Sequence, residues 1–290
     1  MRAESLVITW ISLCAFMLLT DPRLWIVVIS SIVLQCNLTI LLTTAIFWNF
    51  QAFSMVRVLI VPLTFAEVKA FRALSTFSRL LFCNTLVSML HSIISSLLAI
   101  LALLTSHSLN GDYVNAATTG EFLATSVSAG YFAYDLGDYV LNGLNVKAPV
   151  IIVHHVVVLS CYISALTKTV GLPLLSLALF CELHSIFMHA RKLLTMSNFS
   201  VRQSLLLRWV WRSQWIMFST ARVFSHLIVA VLTYQARLLF AQQLHFAIAF
   251  GGMIVINLLN IQLFLDVRKA WQKDYAPAMA SFSAPVLKTC

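Results

Sequence analysis

Long apolar segments, separated by short polar ones, run through almost the whole chain. Most have about the length that a helix needs to cross a bilayer. Because hydrocarbon offers no water to satisfy backbone groups, such segments are expected to be α-helices. The pattern predicts an all-α fold, a polytopic transmembrane helical bundle with a six-helix core and one or two N-terminal transmembrane helices. The predicted segments are residues 6–20, 25–48, 84–105, 121–141, 148–166, 170–190, 208–233 and 238–265.

The first segment, 6–20, is only 15 residues long and ends at Asp21-Pro22-Arg23. That length also suits the apolar region of a cleaved signal peptide, but no small-residue cleavage site follows it. A short membrane span or a signal anchor is the favoured interpretation. Whether the segment spans the membrane or is removed stays open at this point.

Charged residues interrupt the apolar pattern between residues 49 and 80. This interruption predicts a cytosolic or interfacial connection, with an amphipathic helix around 55–75. It would separate an N-terminal transmembrane hairpin, 1–48, from the six-helix unit at 81–268, and 269–290 would form a cytosolic tail. The charged residues are Arg57, Glu67, Lys69, Arg72 and Arg79.

The composition supports a lipid-covered exterior. Sixty per cent of the 290 residues are hydrophobic and 10% are charged, whereas soluble domains carry roughly 25% charged residues. The net charge of +9 lies in short segments between apolar runs. In that position it reports membrane orientation, so no nucleic-acid partner is expected.

The distribution of Lys and Arg predicts the orientation, because cytosolic connections are enriched in these residues. Counted over alternate connections, one side carries thirteen, and the other carries only Lys168 and Arg237. The richer side is therefore predicted to be cytosolic. Its members are Arg57, Lys69, Arg72, Arg79, Lys147, Arg191, Lys192, Arg202, Arg208, Arg268, Lys269, Lys273 and Lys288.

Ionisable residues within the predicted spans gather in the cytosolic half of the membrane. Ionisable residues inside transmembrane helices are usually functional. Helical spacing places Asn84, Ser88, His91 and Ser95 on one face, Asp135 and Asp138 on another, and Glu182, Ser185 and His189 on a third. His154 and His155 point about 100° apart, so one can face a cavity while the other contacts a neighbouring helix. These faces predict a hydrated intramembrane pocket that opens to the cytosol.

Arg222 lies in the middle of a predicted span. A charge at that depth needs a partner, and a carboxylate or a lipid phosphate would serve. Glu182 is the candidate carboxylate. No metal is predicted, because the histidines lack the H-x-x-H-H or H-x-x-x-H spacing of membrane metal enzymes.

Four blocks of the sequence together resemble the TLC-domain family, and most of all its calfacilitin-like branch. The resemblance covers about residues 70–270. The blocks are NTLVSMLHSIISS at 84–96, SAGYFAYDLGDY at 128–139, the pair His154-His155, and ELHSIFMHAR at 182–191.

The resemblance implies a six-helix lipid-handling unit. The calfacilitin-like branch is associated with control of phospholipid acyl composition, membrane fluidity and the plasma membrane. The more distantly similar ceramide synthases use acyl-CoA for N-acyl transfer, and their paired histidines correspond to His154 and His155. Their Asp-rich motif follows that pair, whereas this sequence has Glu182, His184 and Ser185 there. That departure argues against a plain ceramide synthase.

The first hypothesis is a regulator of membrane phospholipid composition that binds or acylates lipid in the pocket. If it is catalytic, His154 or His155 would act as base or nucleophile, oriented by Asp135 or Asp138. No cofactor is expected beyond acyl-CoA as a co-substrate. The substrate would contact His91, Glu182, Ser185 and Arg222.

The sequence alone leaves two alternative functions and the compartment open. A ceramide-synthase-like acyltransferase is one alternative function. A non-enzymatic accessory subunit of a channel or of a lipid enzyme, bound to a membrane-protein partner, is another. The compartment is expected to be the plasma membrane, with the endoplasmic reticulum as the alternative.

Overall fold

A computed structural model of the chain describes residues 46–106, 112–146 and 149–282, with side chains as far as residue 276. The predicted segment 6–20 and nearly all of the segment 25–48 lie outside these residues, as does the end of the predicted tail.

The described residues are almost entirely helical and contain no strand, which confirms the predicted all-α fold. Seven helices are present in this part of the chain, and α2–α7 correspond to the six predicted core helices. They are α1 (Ile46–Phe65), α2 (Thr76–Thr105), α3 (Thr119–Leu141), α4 (Pro149–Lys168), α5 (Leu172–Met196), α6 (Leu205–Leu238) and α7 (Gln243–Phe282).

Local sequence explains where several of these helices begin. The Ser75 side chain accepts a hydrogen bond from the Ser78 amide at the start of α2. Thr118 and Glu121 each bond the other's backbone amide in a capping box at the start of α3. Gly171, with φ of +74°, forms the left-handed residue that precedes α5, a conformation that glycine adopts without steric cost.

Six helices are long and apolar enough to cross a membrane, namely all of the seven except α3. Helix α3 is less apolar than the others, and it carries three acidic residues, Glu121, Asp135 and Asp138. All three are buried, and α3 packs between α2 and α4 inside the bundle. Its polar groups are therefore shielded from lipid by its neighbours.

Helix α1 occupies a segment where the sequence pattern predicts a cytosolic or interfacial connection, 49–80. Residues 46–65 form one helix, and only a short stretch with a single helical turn, Lys69–Arg72, separates it from α2. Arg57, which interrupts the apolar pattern, is 7% exposed. Its charge points into the bundle and is not solvated in an interface.

Helix α1 approaches α3 closely at Gly130. A Cβ atom placed on Gly130 would lie 2.5 Å from the Asn49 Cβ and 2.9 Å from the Ile46 carbonyl oxygen. Carbon atoms do not pack at such distances. The absence of a side chain at Gly130 is therefore what allows the two helices to touch.

We expect Gly130→Ala to lower the free energy of unfolding by about 1–3 kcal/mol, because the added methyl group must push α1 away. Gly137→Ala, on the same helix, is the matched control, since nothing lies within 4 Å of a Cβ added there. That variant should be neutral or gain about 0.5–1 kcal/mol from lower chain entropy. Unfolding of the purified variants in detergent measures both, and equal stability would show that α1 does not dock on α3 in this way.

Candidate functional site

A polar cavity of about 220 Å³ lies among helices α2–α7. It brings together side chains that the sequence places on separate helices. The four α2 residues predicted to share a face are each at most 4% exposed in the bundle. Asp138 lies behind the wall of the cavity, and the other seven predicted site residues line it: His91, Asp135, His154, His155, Glu182, Ser185 and Arg222.

Five charged or polar side chains form a continuous chain of contacts from α1 to α4. Arg57 Nε donates to Asp138 Oδ2 over 3.1 Å. The Asn84 amide then joins the two carboxylates, donating to Asp138 Oδ2 over 3.0 Å and to Asp135 Oδ1 over 2.6 Å. Asp135 Oδ2 lies 2.7 Å from His155 Nε2. All five residues are buried, so the chain lies inside the protein.

The contacts of His155 restrict its protonation. Nδ1 lies 2.7 Å from the Ile151 carbonyl oxygen, which can only accept a hydrogen bond, so Nδ1 carries a proton. The other nitrogen meets Asp135 in an ion-pair contact without the alignment of a full hydrogen bond. Both ring nitrogens of His155 are therefore engaged, Nδ1 by the backbone of α4 and Nε2 by a carboxylate of α3.

His154 differs from its neighbour, although the two are adjacent in sequence. Within the described residues, neither of its ring nitrogens has a hydrogen-bond partner. Its ring packs edge-on against Phe132 at 5.8 Å and against the His155 ring at 5.4 Å. His155 is thus held in place by its contacts, whereas the nitrogens of His154 are available to a ligand.

Arg222 and Glu182 do not pair, so the predicted ion pair between them is wrong. Arg222 Nε donates to His184 Nδ1 over 2.9 Å, and Nη2 donates to Ser185 Oγ over 2.6 Å. Glu182 accepts a hydrogen bond from Ser92 over 2.7 Å instead. The guanidinium turns toward the next turn of α5, and α2 supplies the donor for the carboxylate.

Both buried arginines lie in π-helical segments, which no pattern in the sequence signals. Arg57 lies in Val56–Ile60 of α1, and Arg222 lies in Phe218–Phe224 of α6. A π-helical turn holds an extra residue and so changes the direction of side chains relative to a regular helix, and such turns are frequent at functional sites. The two segments help to aim both guanidinium groups into the bundle.

Sequence reasoning missed the role of Arg57 by counting it among the cytosolic positive residues. A signal was present, since Arg57 is the only charged residue between 46 and 65. A lone arginine within an apolar run of that length indicates a buried partner. Asn84 was assigned to the correct face, but its bridge between two carboxylates was not foreseeable from spacing.

His91 lies on the wall of the polar cavity, surrounded by aromatic rings. Its ring stacks on Tyr131 with centroids 3.8 Å apart, and Nε2 lies 3.3 Å from Ser128 Oγ. It is 1% exposed. These contacts fit a residue that shapes the cavity.

A second, apolar cavity of about 80 Å³ lies between α4, α5, α6 and α7. Its wall includes Val158, Leu174 and Val229, and it extends to the pair Ser164 and His245, whose Oγ and Nδ1 atoms are 2.7 Å apart. The two cavities are adjacent inside the bundle, because three residues line both: Phe132, His154 and Glu182.

Residues 81–269 match the family model of the TLC domain. The chain belongs to the TLC-domain family. The matched region covers α2 from its second turn, all of α3–α6 and most of α7, so both cavities lie among helices of the TLC domain. Helix α1, with Arg57, precedes the domain. The family comprises membrane-associated, lipid-related proteins. Family membership and the six long apolar helices among the described residues together establish that the chain is an integral membrane protein.

Part of the chain also aligns with individual proteins. It is 34% identical over 117 residues to TLC domain-containing protein 2 of Danio rerio, covering 40% of this chain and 47% of that protein. It is 32% identical over 115 residues to TLC domain-containing protein 1 of Gallus gallus, covering 40% and 46%. The aligned region thus spans less than half the length of these relatives. No solved structure matches the chain significantly.

We expect Arg57→Gln and Asp138→Asn to be coupled. Each single variant leaves the other partner unpaired in the bundle, which costs about 3–5 kcal/mol in free energy of unfolding. The double variant should lose clearly less than the sum of the two, and a double-mutant cycle measured by unfolding in detergent gives the difference.

The exposed ion pair of Arg72 with Glu67, 3.6 Å apart, supplies the control. Arg72→Gln should change stability by less than about 1 kcal/mol, because water solvates both groups. Additive effects of the Arg57 and Asp138 variants would contradict the buried pair.

Proposed function

We propose that this TLC-domain protein binds an acyl lipid, with the hydrocarbon chain in the apolar cavity and the polar end at His154. Through this binding it would control the acyl composition of membrane phospholipids and hence membrane fluidity. One observation carries the proposal, namely that a polar cavity and an apolar cavity lie side by side, with Phe132, His154 and Glu182 in the wall of both. A molecule with a polar end and a hydrocarbon chain matches that division.

The chemistry of the two walls supports the proposal. Side chains such as Val158, Leu174 and Val229 offer a hydrocarbon chain only apolar contacts, so an acyl chain that leaves the bilayer interior for this cavity stays in apolar surroundings. The polar wall offers donors and acceptors from several helices. The excess of Lys and Arg on one side favours a cytosolic opening of this cavity. The plasma membrane is the proposed location, with the endoplasmic reticulum as the alternative.

Acyl transfer is the second candidate function, and the free nitrogens of His154 favour it. A neutral imidazole there would take the proton from an attacking amine or hydroxyl group. The attacking atom would form a bond to the carbonyl carbon of an acyl-CoA thioester, the C–S bond would break, and the proton would pass to the departing thiolate. His155, held by Asp135 and with its ring centroid 5.4 Å from that of His154, would keep the neighbouring His154 ring in position.

We expect His154→Ala to abolish the effect of the protein on cellular phospholipid acyl chains without lowering its abundance, because His154 makes no hydrogen bond within the described fold. Val153→Ala, at a neighbouring exposed position, is the matched control and should behave as wild type. Lipid mass spectrometry of cells that express each form measures the profiles. An unchanged profile with His154→Ala, relative to wild type, would point to a function that does not use the shared wall of the two cavities.

We expect Ala249→Phe to shorten or exclude the bound acyl chain, because Ala249 lines the apolar cavity. Ala247→Phe adds the same ring at an exposed position of the same helix. Mass spectrometry of lipid that co-purifies with each variant in detergent gives the chain lengths. Identical lipid on both would contradict the proposed chain position. A stoichiometric protein partner without bound lipid would instead favour a non-enzymatic accessory subunit.

A further inference from the structure

Arg222 is a cation in the wall of the polar cavity, at the middle of helix α6. It is 6% exposed, and it lies in the π-helical segment Phe218–Phe224. Its side chain lines the cavity together with Ser185 and Asn260. The guanidinium is therefore shielded from bulk water but borders an internal space.

The hydrogen bonds of Arg222 leave its charge uncompensated. Its Nε atom donates to His184 Nδ1, so that nitrogen is unprotonated and the His184 ring is neutral. Its Nη2 atom donates to the Ser185 hydroxyl, which is also neutral. In the part of the chain that the structure describes, no carboxylate lies within 4.0 Å of this guanidinium.

The acidic groups of the same cavity are engaged elsewhere. Asp135 contacts His155 and accepts from Asn84. Glu182 accepts from Ser92, beyond ion-pair distance of Arg222. A buried cation without an oppositely charged partner raises the free energy of the folded state, because the dielectric constant around it is low. An anion that enters the cavity would remove this cost.

Two further features specify the kind of anion. A guanidinium presents planar N–H donors that match the oxygens of a phosphate group. Lys192 lines the same cavity, two turns beyond Ser185 on the same face of α5, and it too has no carboxylate within 4.0 Å among the described residues. The helix rise of 1.5 Å per residue places these turns roughly 10 Å apart. The cavity wall thus carries two positive groups along one line.

We propose that Arg222 and Ser185 form a binding site for the phosphate group of a ligand in the polar cavity. The proposal rests on the proposed lipid-binding function and names the polar group that the cavity recognises. The phosphate could belong to a lipid headgroup or to the carrier part of an acyl thioester, because both present the same oxygens to the guanidinium.

Binding to the purified full chain in detergent tests the site with two matched pairs of probes. Dioleoyl phosphatidic acid is compared with dioleoylglycerol, and S-oleoyl-4′-phosphopantetheine with S-oleoyl-pantetheine, so the members of each pair differ only by a phosphate group. The wild type should prefer the phosphate-bearing member of one pair by about tenfold or more, since charge-assisted hydrogen bonds have that effect on affinity. The pair that shows the preference identifies the source of the phosphate.

Arg222→Gln should remove the preference, so that the two members of the pair bind with similar affinity. Arg222→Lys, which keeps the charge without the planar donors, should retain part of it and guards against misfolding of the first variant. Arg212→Gln, at an exposed position of the same helix, removes an equal charge and should retain all of it.

Two results would overturn the phosphate site, namely equal binding of both members of each pair by the wild type, and a preference that survives in Arg222→Gln. In either case, binding of dioleoylglycerol or S-oleoyl-pantetheine would still support an acyl-lipid cavity. Failure of all four probes to bind would instead reject the proposed function itself.

Discussion

Neutralisation of charge inside the bundle is the constraint on which this structure depends. A charged group in hydrocarbon is stable only with partners, and the contacts from Arg57 through Asp138, Asn84 and Asp135 to His155 supply them. The same contacts join α1, α2, α3 and α4. Helix α3 is too polar to qualify as a span by itself, and it lies within the bundle because its neighbours pair its carboxylates. A network that neutralises α3 therefore also determines which helices pack together.

Because of this network, the two paired histidines have different surroundings. His155 is held at both ring nitrogens, so its position follows from the packing of α3 against α4. His154, one residue earlier, points about 100° away and lines both the polar and the apolar cavity. Because the contacts of His155 fix this part of α4, the fold places the His154 imidazole beside both cavities although its ring nitrogens make no hydrogen bond among the described residues. The Phe132 ring packs edge-on against the His154 ring and gives it an apolar neighbour.

The sequence predicts much of the fold and of the site because membrane helices obey simple rules. Apolar length located α2–α7, and three- or four-residue spacing correctly placed His91 and its α2 neighbours on a buried face. The same reasoning left out what depends on atomic distances. Arg57 could be assigned to a connection as readily as to a helix until its pairing with Asp138 was visible. The π-helical turn in which Arg222 lies has no sequence signature, and the candidate carboxylate, Glu182, is not the group that Arg222 contacts in the fold.

The two buried arginines show how a membrane bundle distinguishes structure from recognition. Both lie in π-helical segments and both are almost fully buried, yet only Arg57 has a carboxylate within ion-pair distance. A charge that the protein neutralises by itself contributes to packing and gives a ligand nothing to bind. A charge that the protein leaves uncompensated, on the wall of a cavity, stores unfavourable energy that a complementary ligand can relieve. By that criterion Arg57 belongs to the scaffold and Arg222 is the residue that we propose for ligand binding, although burial and local helix geometry are alike for both.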